Sequence, residues 1–356
     1  MRHQVGGYVV RAMQKKLNLL FLVFVLFLWS TVANSREDPD AWFNKGLEQD
    51  SAGKHQEAID SFTKVIKISP KLPEAYYNRG CSFLVLGKMK EALEDYGQAI
   101  ALKPTYVEAY VNRGFVYAAM GDHKSALKEY DKALQLDPKG PEIHLNRGVS
   151  YGMLGDYKKA IEEYDEAISI NSGLSKALIN RGLAHTALGE HGKAVRDFSE
   201  AILLEPENGD AYYNRGISYA SLGQHEESLK DYEKAILLDP RNSNAYCSRG
   251  IVLIAMKDHD GAMNDLNKAI QLNPDDIRAF FARGNLHDVL GNYTEAVKDF
   301  DEAIRVEPQN ADAYHNRANA YRNSGDKAGA IRDWQKAAQL GSEEARKHLR
   351  SQGRGW

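Results

Sequence analysis

A short signature, Asn-Arg-Gly or a close variant, puts an arginine at 79, 113, 147, 181, 215, 249, 283 and 317, with Lys45 one step earlier, so the chain repeats every 34 residues without an insertion from 39 to 344. A unit of that length buries too little surface to be stable alone; neighbouring units must stack, and one core must run along the whole array. The repeat therefore overrides the two or three separate domains that 356 residues would otherwise suggest.

Counting each unit from 1 at Pro39, position 8 is small in all nine units, from Gly46 to Ala318. Position 20 is alanine except at Ser228, and position 27 is Val65 followed by eight alanines ending at Ala337. Bulk is concentrated at position 24: Phe62, Tyr96, Tyr130, Tyr164, Phe198, Tyr232, Leu266, Phe300 and Trp334. The spacing predicts two helices per unit. Helix A opens near position 2, sometimes after a proline such as Pro39, Pro73 or Pro141, and stops at position 15, a glycine in eight units that can take the left-handed conformation. Helix B buries positions 20, 21, 24, 27 and 28, as in Ala126, Leu127, Tyr130, Ala133 and Leu134, and ends before the prolines at position 32. Two junctions depart from the pattern and are expected to be irregular: Asn171-Ser172-Gly173 lacks the proline, and Lys257 replaces the turn glycine. Arginine at position 7 and an acid at position 23 in eight units predict a ladder of ion pairs between the two helices.

This pattern resembles the tetratricopeptide repeat (TPR) family, which places an aromatic residue near the start of each unit, Gly or Ala at 8, Ala at 20 and 27, and Pro at 32. The resemblance implies an all-α fold, a right-handed superhelical solenoid of nine helix-turn-helix repeats spanning residues 39–344. Both ends read as caps: Glu48, Gln49 and Asp50 present a polar face in the first unit, and a charged helix from Ser342 to near Arg350 leads into an end segment, 345–356.

Residues 1–33 carry Arg2, Arg11, Lys15 and Lys16, no acid, and an apolar run from Leu17 to Trp29 broken only by Asn18. A run of this length matches a secretory signal better than a spanning helix, and Thr31 and Ala33 supply small residues for cleavage before Asn34, leaving 34–38 as a short linker. Uncleaved, Leu17 to Ala33 would anchor the chain in a membrane. Translation from Met13 gives a more compact signal than from Met1. Either reading takes the repeats out of the cytosol, to a bacterial periplasm, the outside of the cell, or a membrane surface. Loss of 1–33 removes four positive charges from a net charge of −3, leaving −7.

Few other chemistries fit. A mildly acidic chain with no long basic run offers no footprint for nucleic acid. No phosphate-binding loop or zinc-protease helix occurs, and no catalytic residue, cofactor or metal is assigned. Histidines at position 17 (His55, His123, His191, His225 and His259) lie one repeat apart, at least about 8 to 10 Å, too far to share a metal, and read as packing at the start of helix B. Cys81 and Cys247 stand five repeats apart and read as buried or groove-lining thiols. Asn292-Tyr293-Thr294 is a chance glycosylation sequon.

The resemblance implies that the A helices form a concave groove. Position 6 carries Asn44, Asn78, Asn112, Asn146, Asn180, Asn214 and Asn316, broken only by Ser248 and Ala282. Such a row is similar to the asparagine ladder with which some members of the family grip an extended peptide backbone; the bland reading is repeat consensus. Positions 5 and 9 add an apolar strip, with Tyr77, Phe115, Tyr213 and Ile217 as anchors. The lysine at 5 and arginine at 6 that family members use to clamp acidic termini are absent. The expected function is a non-enzymatic protein-binding scaffold outside the cytosol, holding an extended or apolar protein segment; the alternative is a membrane-anchored structural subunit that self-assembles through its solenoid.

Overall fold

The structure is a computed structural model that describes residues 38–353. The signal, anchor and linker readings over 1–37 and the last three residues lie outside the described part. Among the described residues there is no strand, and no helix is long and apolar enough to cross a membrane.

The chain divides into two compact units at Pro138/Lys139. The first holds three helix pairs: α1 (Pro39–Ser51) and α2 (His55–Ile68), α3 (Pro73–Val85) and α4 (Met89–Leu102), α5 (Val107–Ala119) and α6 (His123–Leu136). The second holds six more: α7 (Pro141–Met153) and α8 (Tyr157–Ile170), α9 (Ser175–Ala187) and α10 (His191–Leu204), α11 (Gly209–Ser221) and α12 (His225–Leu238), α13 (Ser243–Ala255) and α14 (His259–Leu272), α15 (Ile277–Val289) and α16 (Tyr293–Val306), α17 (Ala311–Asn323) and α18 (Lys327–Gln339). A final helix, α19 (Glu343–Ser351), packs on α18. Odd-numbered helices up to α17 are the A helices of the repeats and even-numbered ones the B helices.

The small and large positions explain why each pair closes. A Cβ added to Gly148 would lie 2.5 Å from Cε1 of Tyr164, so only glycine lets α7 and α8 approach with that ring between them. Ser228, the exception at position 20, stays buried because its hydroxyl donates to Gly216 O at 2.8 Å. Between A and B the chain turns through a residue with positive φ.

Both departures from the repeat keep the common geometry, contrary to the expected irregularity. Lys257 takes φ 64°, beside 74° at Gly223 in the preceding repeat, so the lysine is forced into the glycine's conformation by the helices it joins. At the other junction Asn171 does the work of the missing proline: its Oδ1 accepts from Gly173 N at 3.0 Å, and Leu174 N still reaches Asn171 O at 3.2 Å. On the amino-terminal polar face Glu48 is exposed, while Gln49 and Asp50 are bonded within the fold. Asp50 accepts from Ser82 Oγ at 2.7 Å and pairs with His55 Nδ1 at 2.7 Å, and Gln49 accepts from Ser61 Oγ at 2.6 Å.

The ion-pair ladder is present in full. In the first unit Arg79 meets Asp95 and Arg113 meets Glu129, at 2.8 and 2.7 Å; in the second, Arg147–Glu163, Arg181–Asp197, Arg215–Asp231, Arg249–Asp265, Arg283–Asp299 and Arg317–Asp333 lie between 2.6 and 2.7 Å. The ladder also runs between repeats. Nη1 of Arg79 reaches Thr63 at 3.0 Å, and the same nitrogen of Arg181, Arg215, Arg283 and Arg317 reaches Asp165, Ser199, Asn267 and Asp301, each on the B helix of the repeat before. Arg113 has Gly97 at that place, which offers no side chain.

Candidate functional site

On an α-helix residues 2, 6, 9 and 13 of each repeat share one face. Consecutive A helices touch within each unit, so these faces line up there.

In the first unit the aligned face has a dense polar-aromatic patch. Tyr77 packs its ring against Tyr106 at 4.9 Å and Tyr96 at 5.9 Å. The Asn112 carboxamide donates to Tyr77 Oη at 3.1 Å and Cys81 Sγ at 3.5 Å, and Tyr96 Oη donates to the same sulfur at 3.5 Å. Burial is the main cause that pushes the Tyr77, Tyr96 and Cys81 groups up from their usual ranges, so all three act here as neutral hydrogen-bonding groups. Asn78 turns inward and donates to Glu74 O of its own helix at 2.7 Å. Phe115, 49% exposed, and Val85 supply the open apolar surface.

In the second unit Asn214 likewise donates to its own helix, at Asp210 O, 2.8 Å away. Asn146 and Asn180 make no side-chain hydrogen bond with the described residues. Asn180 lines a cavity of about 330 Å³ between α7 and α9 with Val149, Met153 and Leu183. Ile217 is half-buried; Tyr213 wedges against Tyr232 at 6.0 Å, its hydroxyl 3.5 Å from Ser248 Oγ. A second cavity, about 450 Å³, opens between α13 and α15, lined by Ile251, Ile254, Phe281, Asn285 and Arg278. Arg278 is oriented on two sides, by Asp276 at 3.3 Å and by Asn244 Oδ1 at 2.5 Å.

The sequence row of asparagines is therefore not one equivalent ladder. Asn78, Asn112 and Asn214 satisfy groups of the fold, and Asn146 and Asn180 bond to none among the described residues. Along the apolar strip position 5 is half-buried in most repeats and buried at Leu145 and Cys247, and exposure is greatest at positions 9 and 13, notably Phe115, Leu183, Met153 and Val289. Sequence reasoning missed Arg278, which stands out only beside Asp276 and the residue one repeat earlier, Asn244. Cys247 is a free thiol that burial raises to about 11, and Cys81 is free as well, as their reading as structural thiols requires. His123, His191, His225 and His259 each open a B helix with a buried Nδ1, consistent with packing.

Repeated helix pairs that present aligned A-helix faces define a protein-interaction repeat array. The chain belongs to the tetratricopeptide repeat family. Models described as Tetratricopeptide repeat match residues 39–72, 141–174, 209–242, 243–276 and 311–350, and a model described as TPR repeat matches 82–121, 116–155, 182–223 and 290–325, together well over half of the chain. Among solved structures, the fold is similar to a tetratricopeptide repeat protein from Parabacteroides merdae (23% identity, TM-score 0.53, covering 66% of this chain and 93% of that one) and to PilF of Pseudomonas aeruginosa (20%, 0.53, 60% and 97%). It also matches YrrB, titled a TPR protein with an unusual peptide-binding site, at 26% identity and a TM-score of 0.45 over 52% of this chain and 95% of that one. No functionally curated protein shows significant similarity to the chain.

Proposed function

We propose that this chain is a non-enzymatic scaffold that works outside the cytosol and holds an extended or apolar protein segment along the A-helix faces of its units. The observation that carries the reading is Asn180: a carboxamide with both donors and its acceptor uncommitted, at a cavity of about 330 Å³ walled by Val149, Met153 and Leu183. A carboxamide can pair with any peptide unit, and the adjoining apolar wall accepts a side chain, which suits a segment read by its backbone more than by its sequence. The basic and then apolar residues from Arg2 to Trp29 support delivery to a periplasm, secretion, or retention at a membrane if uncleaved.

The test is capture of bound proteins by the purified chain, followed by titration of the captured segment against the wild type and Asn180→Ala/Leu183→Ala. Weaker binding at unchanged stability is the expected result. Equal binding would remove the face from consideration. Concentration-dependent oligomers in place of a captured partner would favour the self-assembling structural subunit, and amino-terminal sequencing of the membrane and soluble forms separates anchored from cleaved chains.

A further inference from the structure

Leu203 and Leu237 are 81% and 70% exposed, two of the three most exposed large apolar side chains among the described residues. Both occupy position 29, near the carboxyl ends of α10 and α12, and so lie on the B helices, away from the A-helix face. The other seven repeats carry Lys67, Ala101, Gln135, Ser169, Gln271, Arg305 and Gln339 there, so packing does not demand leucine at this position. Two neighbouring repeats alone have it; the position after it is apolar in every repeat, here Leu204 and Leu238. A cavity of about 710 Å³ opens in the second unit between the loop after α10 and the end of α12, lined by residues that directly follow the two leucines in the chain. Leu238 lines it together with Glu205, Glu207, Asp210 and Asp239. Among the described residues the cation paired with this group is Lys234, 3.9 Å from Glu207.

We propose that this edge of repeats five and six docks a basic amphipathic helix of a partner protein, with apolar side chains on Leu203 and Leu237 and lysines or arginines over the acidic cavity. Charge complementarity selects the partner: four carboxylates against one ammonium reject an acidic segment and an anionic surface, while exposed leucines favour an apolar stripe over a merely polybasic one. The spacing selects the form. Leucines one repeat apart are separated by at least about 8 to 10 Å, and residues two turns apart on a helix rise about 10.8 Å. This surface is separate from the A-helix face, so the scaffold would hold two partners at once.

The full chain is titrated with a synthetic helix of about 18 residues bearing leucines on one face and lysines on the other, and with its counterpart carrying glutamates for lysines. Binding of the lysine peptide is expected, with a loss of roughly tenfold or more in Leu203→Gln/Leu237→Gln, a comparable loss in Glu205→Gln/Glu207→Gln/Asp239→Asn, no binding of the glutamate peptide, and no effect of Asn180→Ala. Since the two leucines are exposed, their replacement leaves the melting curve in place, so a loss of binding is not a loss of fold. Equal affinity of the leucine variant overturns the proposal, as does a wild-type dimer abolished by the same variant, which would assign the edge to a second copy of the chain.

Discussion

Arg215 grips Asp231 with two nitrogens, Nε to Oδ2 at 2.8 Å and Nη2 to Oδ1 at 2.7 Å, while Nη1 crosses to Ser199 of the preceding repeat at 3.0 Å. Asp231 is 4% exposed, so removing the guanidinium strands a buried carboxylate. Arg215→Ala is expected to cost about 3 to 5 kcal/mol. Arg215→Lys restores the charge without the fork and should recover only part of it. The exposed Lys230→Ala serves as control, and urea unfolding reads all three.

Lys257 holds φ 64° where a side chain is penalised by about 1 to 2 kcal/mol. Lys257→Gly is expected to stabilise the chain by about 1 kcal/mol. Gly148→Ala should do the opposite, by about 1 to 3 kcal/mol, since its Cβ meets the Tyr164 ring. Thermal melts of the two variants are to move in opposite directions.

Asn112 and Asn180 occupy the same position two repeats apart, yet only the first is bonded within the fold. Asn112→Ala is expected to lower stability by about 1 kcal/mol, and Asn180→Ala to stay within about 0.5 kcal/mol of wild type. Affinity for a captured segment should show the reverse order, each lost hydrogen bond weakening it by about 0.5 to 1.5 kcal/mol.

His315 sits under α19, its ring 5.8 Å from His348, whose Nε2 lies 3.2 Å from Arg322 Nη1. Burial is the largest cause holding the His315 imidazole below its usual 6.5; His348 and Arg322 add to this, and Glu344 and Asp312 oppose it. The unfolded chain therefore binds the proton more readily than the folded one. Stability from this group is complete above about pH 6.5 and is lost as the pH falls from there toward the lower folded value. The amide protection factors of α19, corrected for the pH dependence of intrinsic exchange, should fall between pH 7.5 and 5 more than those of α7, and His315→Phe, the residue found at this position in α1 and α15, should flatten the difference.

The fold was legible because the same steric problem is solved nine times: a small residue at position 8 against a ring at 24, a glycine turn, and an arginine facing an acid each recur at fixed spacing. Even the partner of Arg215 followed from register alone. The face was less legible. Asn78 and Asn180 are the same letter at the same position, and whether a carboxamide turns to its own helix or outward depends on neighbours that the period does not report. Arg278 and the edge at Leu203 were hidden for a different reason: both are departures from consensus, and they gain meaning only when adjacent repeats are placed side by side.

The missing contact at Gly97 makes the array mechanically uneven. In an assembly of nearly identical parts held by nearest-neighbour couplings, cooperative unfolding is limited by the weakest link rather than by the average. Arg113 grips only one oxygen of Glu129, through Nε at 3.0 Å and Nη2 at 2.7 Å, and has no side chain to hold on α4. The seam between α4 and α5 is thus where the first unit is expected to part under heat, denaturant or pulling force, releasing α1 to α4 as a block before α5 and α6 let go.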